Sequence, residues 1–173
     1  MFKDKKLSIL GDSISTYTNV SNGDGAKFNK TILNNHVYYH PGRFDIYLND
    51  TWWMQVINKL GFKLLVNNSW SGSAAYGSSE SAGMSDSRLK TLDDNGTPNI
   101  VVIYLGTNDN VNGHTVENLK DAYVKMIEYI STYCVDFSNN TAKVPYIYLC
   151  TNGYSAYNGY NYTEDRRIEY NTM

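Results

Sequence analysis

Two cysteines among 173 residues are too few for a disulfide framework. Cys134 and Cys150 each lie in an apolar stretch, where a free thiol packs as a small hydrophobe, and neither belongs to a Cys-X-X-Cys pair. The three histidines, His36, His40 and His114, show no ligand spacing, so no metal site is expected. No Gly-X-Gly-X-X-Gly or Walker-type run is present, and no cofactor is expected either. Charge of one sign is lacking too. Fifteen Lys and Arg face seventeen Asp and Glu, for a formal net charge of -2 and a pI of about 5.9, which leaves no basic footprint for nucleic acid. No apolar run is long enough to span a bilayer, and the start leads through only four apolar-leaning residues to Gly11-Asp12, so no signal-peptide core is expected. The expectation is a cytoplasmic protein, or a secreted one if a leader has been removed. In that setting Asn161-Tyr162-Thr163 and similar triplets are chance products of an Asn-rich composition.

What is present suits one folded domain over residues 1–173, a length that buries roughly 70% of the unfolded surface. Charged residues make up 18% and hydrophobic ones 42%, and sixteen residues are Tyr, so polarity comes mostly from amides and hydroxyls. Residues 7–10 form a short apolar run ended by Gly11-Asp12-Ser13, the pattern of a buried strand entering a tight turn. Residues 14–50 show no clean period and read as a long surface excursion. Thr51 can N-cap a helix with Trp52, Trp53, Val56, Ile57 and Leu60 on one face and Gly61 as its stop. A strand over 62–66 follows, then a small-residue loop from Asn67 to Ser73 and a short helix near 86–92. Residues 100–105 are apolar without alternation, the mark of a central parallel strand, and end at Gly106-Thr107-Asn108-Asp109. Helical spacing over 116–133 and a fourth apolar strand over 144–150 complete the pattern. Strands alternating with helices predict a parallel sheet in a three-layer α/β/α domain. Ligands bind beyond the carboxyl ends of such strands, so the turns carrying Ser13, Gly72 and Asn108 should meet at one edge.

Acyl transfer by a serine needs a nucleophile on a tight turn, donors for an oxyanion, and a base. Ser13 suits the first role, and it could open a helix whose N–H groups favour negative charge. Gly72 lets a backbone N–H approach a substrate, and the Asn108 side-chain amide is a neutral donor. Each has a plainer reading when taken alone: Gly-Asp-Ser as an ordinary capping turn, Ser71-Gly72-Ser73 as a flexible turn, Asn108 as an Asx-turn residue.

Taken together, Gly11-Asp12-Ser13-Ile14-Ser15, Asn68 to Gly72 and Gly106-Thr107-Asn108-Asp109 resemble, in order, three sequence blocks of the SGNH (GDSL-like) hydrolases. The resemblance covers roughly residues 7–150 and includes Thr51-Trp52-Trp53. It implies a flavodoxin-like sheet and hydrolysis of a carboxylic ester through an acyl-enzyme, with Ser13 as nucleophile and Gly72 and Asn108 as oxyanion donors. One departure stands out. The family's base is a His in a late Asp-X-X-His block, and none of the three histidines has Asp three residues before it. Each reads as a surface or packing histidine. From Thr163 onward the chain carries a cap candidate and acids, the start of a helix that leads, in the family, to a fifth strand and that block. A C-terminal segment is therefore expected to be missing, with a natural pseudoenzyme as the other explanation.

Two other classes compete. A non-catalytic carbohydrate-binding module would use the Tyr and Trp residues of the long loop and of the 154–162 segment to stack on sugar rings. A phosphate binder fits less well, since Asp12 would sit beside the phosphate and Asn108 would have no task. Trp52, Trp53, Tyr123 and Met126 read as core, while Trp70 reads equally as pocket lining or loop anchor. The ligand is expected to be a small-molecule or carbohydrate ester, with an acetylated carbohydrate preferred and oligomeric state open.

Overall fold

The structure, a computed structural model, describes residues 2–18, 20, 37–40, 44–138, 141–152 and 164–173. The expectations for His36, Thr163 and the aromatic segment 154–162 lie outside these residues. Four strands, β1 (Lys6–Gly11), β2 (Lys63–Ser69), β3 (Ile100–Tyr104) and β4 (Tyr146–Leu149), form a parallel sheet in the order β2-β1-β3-β4. Among the described residues the helices are α1 (Trp52–Leu60), α2 (Asp86–Leu89), α3 (Thr107–Asn112), α4 (Val116–Tyr133) and α5 (Glu164–Thr172). This is the expected α/β architecture with a flavodoxin-like strand order, in which the chain reverses direction across the sheet between β1 and β3.

Side-chain alternation along the two central strands builds a core on each face. Leu7 and Ile9 of β1 join Ile100 of β3, Trp53 of α1 and Tyr17 on one side. Leu10, Val101 and Ile103 point the other way, with Leu105 beyond the end of β3, against Leu89, Leu92 and the inner face of α4. That face consists of Leu119, Ala122, Tyr123, Met126 and Ile130. Burying each of the larger side chains contributes about 1.5–3 kcal/mol, which is why the continuous apolar run of β3 needs cover on both faces.

Local signals set the helix ends. The Thr51 side chain accepts from the Met54 N–H, and Gly61 stops α1 in the left-handed region at φ 75. Thr115 and Asn118 form a reciprocal capping box that opens α4.

Four details differ from the sequence pattern. β2 continues through Asn67, Asn68 and Ser69, which read as loop, because buried amides are acceptable in a strand once hydrogen-bonded: Asn67 Nδ2 donates to Ser15 O and Asn68 Nδ2 to Arg88 O. The 14–50 excursion is not all surface, since Tyr17 is buried and Val20, Tyr39 and Leu48 pack on the α1-side core. Thr107–Asn112 is helical where a turn was read. β4 is apolar yet lies at the sheet edge, with Tyr146 72% exposed. Among the described residues no helix is long and apolar enough to cross a membrane.

Space at the end of β1 gives a test. A Cβ on Gly11 would lie 2.7 Å from Ser15 Cβ, Ser15 Oγ and Ser69 Oγ, so the turn after β1 and the end of β2 close directly on this residue. Gly11→Ala should lower stability by about 1–3 kcal/mol, read from the denaturant midpoint, and an unchanged midpoint would show that the turn can yield.

Candidate active site

The sheet register aligns the three turns. Gly11, the last residue of β1, pairs with Ser69 of β2 on one side and Tyr104 of β3 on the other, so the segments carrying Ser13, Gly72 and Asn108 leave the sheet from one level. Each segment is then tied to the next. The Trp70 N–H donates to Gly11 O (3.1 Å), and Asn108 Nδ2 donates to Ser73 O (2.8 Å). The expected convergence is therefore present in the described residues.

Ser13 opens a single turn of 3-10 helix, Ser13–Ser15, which is too short to favour negative charge through the expected helix dipole. Its neighbours are fixed. Asp12 Oδ1 accepts from the Ile14 N–H (3.0 Å), and the Ser13 carbonyl accepts from both the N–H and the hydroxyl of Thr16. Ser15 Oγ accepts from the Trp52 indole N–H (3.0 Å), and the Trp52 ring lies edge-on to Tyr104. Trp52, read as core, is half-buried: it packs on the α1-side core and also reaches the margin of the site. Ser13 itself is half-buried, and among the described residues its hydroxyl takes no hydrogen bond.

Gly72 is exposed in the left-handed region at φ 79, and nothing lies within 4 Å of where its Cβ would be. The reason for glycine there is conformational, and it leaves open space over the turn. Trp70 is buried, and its carbonyl accepts from the Ser73 N–H, which makes it an anchor of this loop. Gly106, at φ 112, opens α3 with the Asn152 side chain against it, where a Cβ would come within 2.6 Å of Asn152 Nδ2.

Three further elements of the site escaped the sequence. Asp109 is fully buried; its carboxylate accepts from the Ala75 N–H (2.6 Å) and the Tyr76 N–H (2.9 Å) and pairs with His114 Nδ1 at 3.0 Å. His114 therefore has a partner five residues back, not the three of the family spacing, and the Tyr170 hydroxyl of α5 donates to its carbonyl. No hydrogen bond among the described residues joins His114 to Ser13, and His40 is exposed. Asn152, beyond β4, has a buried side-chain oxygen with no hydrogen-bond partner among the described residues. Arg88, on α2, is wholly buried behind the turns. Asp109 could have been suspected from its place beside Asn108, whereas an Arg on a short helix reads as solvent-facing.

Two buried titratable groups, an acid and a base, flank the Ser13 turn. Burial pushes the Asp12 carboxyl up to about 7, against the lowering effects of the Ile14 N–H and Arg88, and Asp12 Oδ2 is buried without a hydrogen-bond partner among the described residues. Burial likewise brings Arg88 down to about 9, so the guanidinium stays charged at neutral pH. Cys134 and Cys150 are free thiols, and burial raises Cys134 to about 12, which keeps it inert. Among the described residues no cluster of His, Cys, Asp and Glu could hold a metal ion.

The family model of the GDSL-like lipases and acylhydrolases matches residues 5–151. The fold is similar to that of a GDSL-like lipase from Bacteroides ovatus ATCC 8483, at 24% identity and TM-score 0.57, over 98% of this chain and 80% of that one. AlinE4, an SGNH-hydrolase family esterase, is similar at 16% identity and TM-score 0.53, over 98% of this chain and 68% of that one. A carbohydrate acetylesterase family member from Sinorhizobium meliloti is similar at 16% identity and TM-score 0.56, over 84% and 61%. At such identities these likenesses establish the fold. No curated protein matches the chain at a significant level.

The raised Asp12 carboxyl fixes the sign of a pH effect. Between the ordinary value of 3.8 and about 7 the folded state holds a proton that the unfolded state has lost. Asp12 therefore contributes stability that is full below 3.8 and lost as pH rises through 7. From pH 4 to pH 8 the wild type should lose roughly 1–3 kcal/mol relative to Asp12→Asn, measured by urea unfolding at both pH values. Parallel pH dependence of the two proteins would mean that Asp12 is ionised throughout.

Proposed function

Because the chain belongs to the GDSL-like lipase/acylhydrolase family, we propose that it is an SGNH-type ester hydrolase over residues 1–173, with Ser13 as nucleophile. The Gly72 N–H, the Asn108 side-chain amide and the Ser13 N–H serve as oxyanion donors. The observation that carries this reading is the bond from Asn108 Nδ2 to Ser73 O, which holds the third turn against the glycine turn and leaves the second Nδ2 hydrogen for a ligand. In this chemistry Ser13 Oγ gives its proton to a base and attacks the ester carbonyl. The oxyanion forms between the donors, the alcohol leaves, and water releases the acyl group from Ser13.

The 173 residues contain no Asp-X-X-His block, and the Asp109–His114 pair is spent on joining the end of α3 to the Ala75–Tyr76 backbone and to α5. Ser13 thus lacks the family's base within this chain. Loss of one triad member costs on the order of 10⁴ to 10⁶ in turnover, so the 173 residues alone should be nearly inactive.

For the substrate we propose a carbohydrate ester, an acetylated sugar above all. Tyr38, Tyr39 and Phe44 form a cluster of aromatic rings, with Phe44 60% exposed. The cluster is joined to the segment after Ser13 through the Tyr38 N–H to Thr16 Oγ1 hydrogen bond (2.8 Å), which supports its use as a stacking surface for a sugar ring. The fold shared with a carbohydrate acetylesterase family member agrees with this choice. The missing His favours one second reading, a glycan-binding module without chemistry.

Intact mass after exposure to a fluorophosphonate, with and without added imidazole as an external base, separates the two readings. A single adduct that imidazole accelerates and that Ser13→Ala abolishes is the expected result. Absence of an adduct at any imidazole concentration, together with binding of an acetylated oligosaccharide, would establish the binding module.

A further inference from the structure

Arg88 lies outside every block that the family resemblance uses, yet its side chain reaches all the turns but one. Its five N–H donors meet five acceptors. Nε donates to Asn68 Oδ1 (2.9 Å), Nη1 to Ser73 Oγ and Ser81 O, and Nη2 to Gly11 O (2.7 Å) and Asn68 O (2.6 Å). We infer that Arg88 is a positioning residue of the Ser13 site: its planar fork sets the spacing between the turn that carries Ser13 and the loop that carries Gly72. This inference rests on the proposed roles of Ser13 and Gly72.

The geometry supports it in three ways. Gly11 O stands two residues before Ser13, and Ser73 Oγ belongs to the residue after Gly72, so one rigid group grips two of the three segments of the proposed oxyanion site. The grip is held in turn. Asn68 offers Arg88 its side-chain oxygen and its carbonyl, and its own amide donates to Arg88 O and Thr91 Oγ1. A wholly buried guanidinium is also a costly way to fill space, since apolar residues of similar volume often stabilise as well or better. What an apolar side chain, or the single-point charge of Lys, cannot supply is a fixed angle between two acceptors on different segments. Displacement of reacting groups by about 1 Å can cost on the order of a hundredfold in rate, so loss of this spacing would appear in chemistry before it appeared in ground-state binding.

The test uses the full chain with saturating imidazole and a fluorophosphonate. Ser13 Oγ bonds to phosphorus, fluoride leaves, and the hydroxyl proton passes to imidazole. The concentration dependence of labelling gives a maximal rate and an inhibition constant. Arg88→Lys should lower the maximal rate about a hundredfold, and Ser73→Ala, which removes one of the five acceptors, about tenfold, both with little change in the inhibition constant. Ser8→Ala is the comparator. It removes a buried hydrogen bond, from Ser8 Oγ to Leu92 O (2.6 Å), that involves none of the partners of Arg88, and it should lower the unfolding midpoint while labelling at the wild-type rate. Should Arg88→Lys fail to fold, Ser73→Ala against Ser8→Ala decides. Wild-type maximal rates in the folded variants, or equal losses in Ser73→Ala and Ser8→Ala, would overturn the positioning role and leave Ser13 as nucleophile. No adduct on the wild type would overturn the nucleophile and the positioning role together.

Discussion

A guanidinium with no access to water has to find acceptors for every N–H it carries, and the arrangement around Arg88 follows from that requirement. The acceptors lie up to 77 residues from Arg88 in the chain, two of them backbone carbonyls at the ends of β1 and β2. A carbonyl oxygen has two lone pairs, so Gly11 O accepts from both the Trp70 N–H and Arg88. The same requirement explains the polar end of β2. Asn67, Asn68 and Ser69 stay in the strand because their side chains complete the network that satisfies Arg88 and braces the Ser13 turn. A buried positive charge also sets the condition of its neighbour. Asp12 is held near neutrality by burial, and Arg88 only partly offsets that cost, so the residue before Ser13 stands at the edge of ionisation at neutral pH.

The second constraint is the parallel sheet. Right-handed crossovers place α1, between β1 and β2, on one face and α4, between β3 and β4, on the other, so the connections after β1 and β3 leave toward opposite faces where the chain changes sides. The opening there belongs to the fold. The three polar turns only have to furnish it, and the level pairing of Gly11 with Ser69 and Tyr104 means that they do so from one height.

How much of this the sequence reveals depends on the range of the interaction involved. Thr51 and Gly61 bracket α1 through contacts within one helical turn, and both act as read. The unalternating run of β3 announces burial on both faces because each of its side chains needs an apolar partner, whichever residue provides it. The convergence of Ser13, Gly72 and Asn108 was legible because parallel topology forces it. Arg88 was not, because its acceptors lie far away in sequence and nothing local distinguishes it from an arginine in water. The pairing of His114 with Asp109 hid for the opposite reason: the residues are close, but the helix that brings them together, α3, was read as a turn. For β4 the apolar run marks a strand but not its place in the sheet, and as an edge strand it exposes side chains that a central strand of the same residues would bury.

The form of the Ser13 turn bears on how the proposed chemistry would work. Three residues of 3-10 helix carry almost no dipole, so the developing negative charge on an ester oxygen would gain little from the element that holds the nucleophile. The stabilisation then has to come from individual donors on the neighbouring turns, and those donors are useful only if they are held in place before the substrate arrives. Asn108 meets that condition by using one amide hydrogen on Ser73 O, which fixes the plane of the amide and so aims the other. Gly72 meets it through a left-handed backbone that other residues adopt only with strain. The framework around these turns would thus keep the proposed donors still, even though no histidine of this sequence stands in the family's Asp-X-X-His spacing to draw the proton from Ser13.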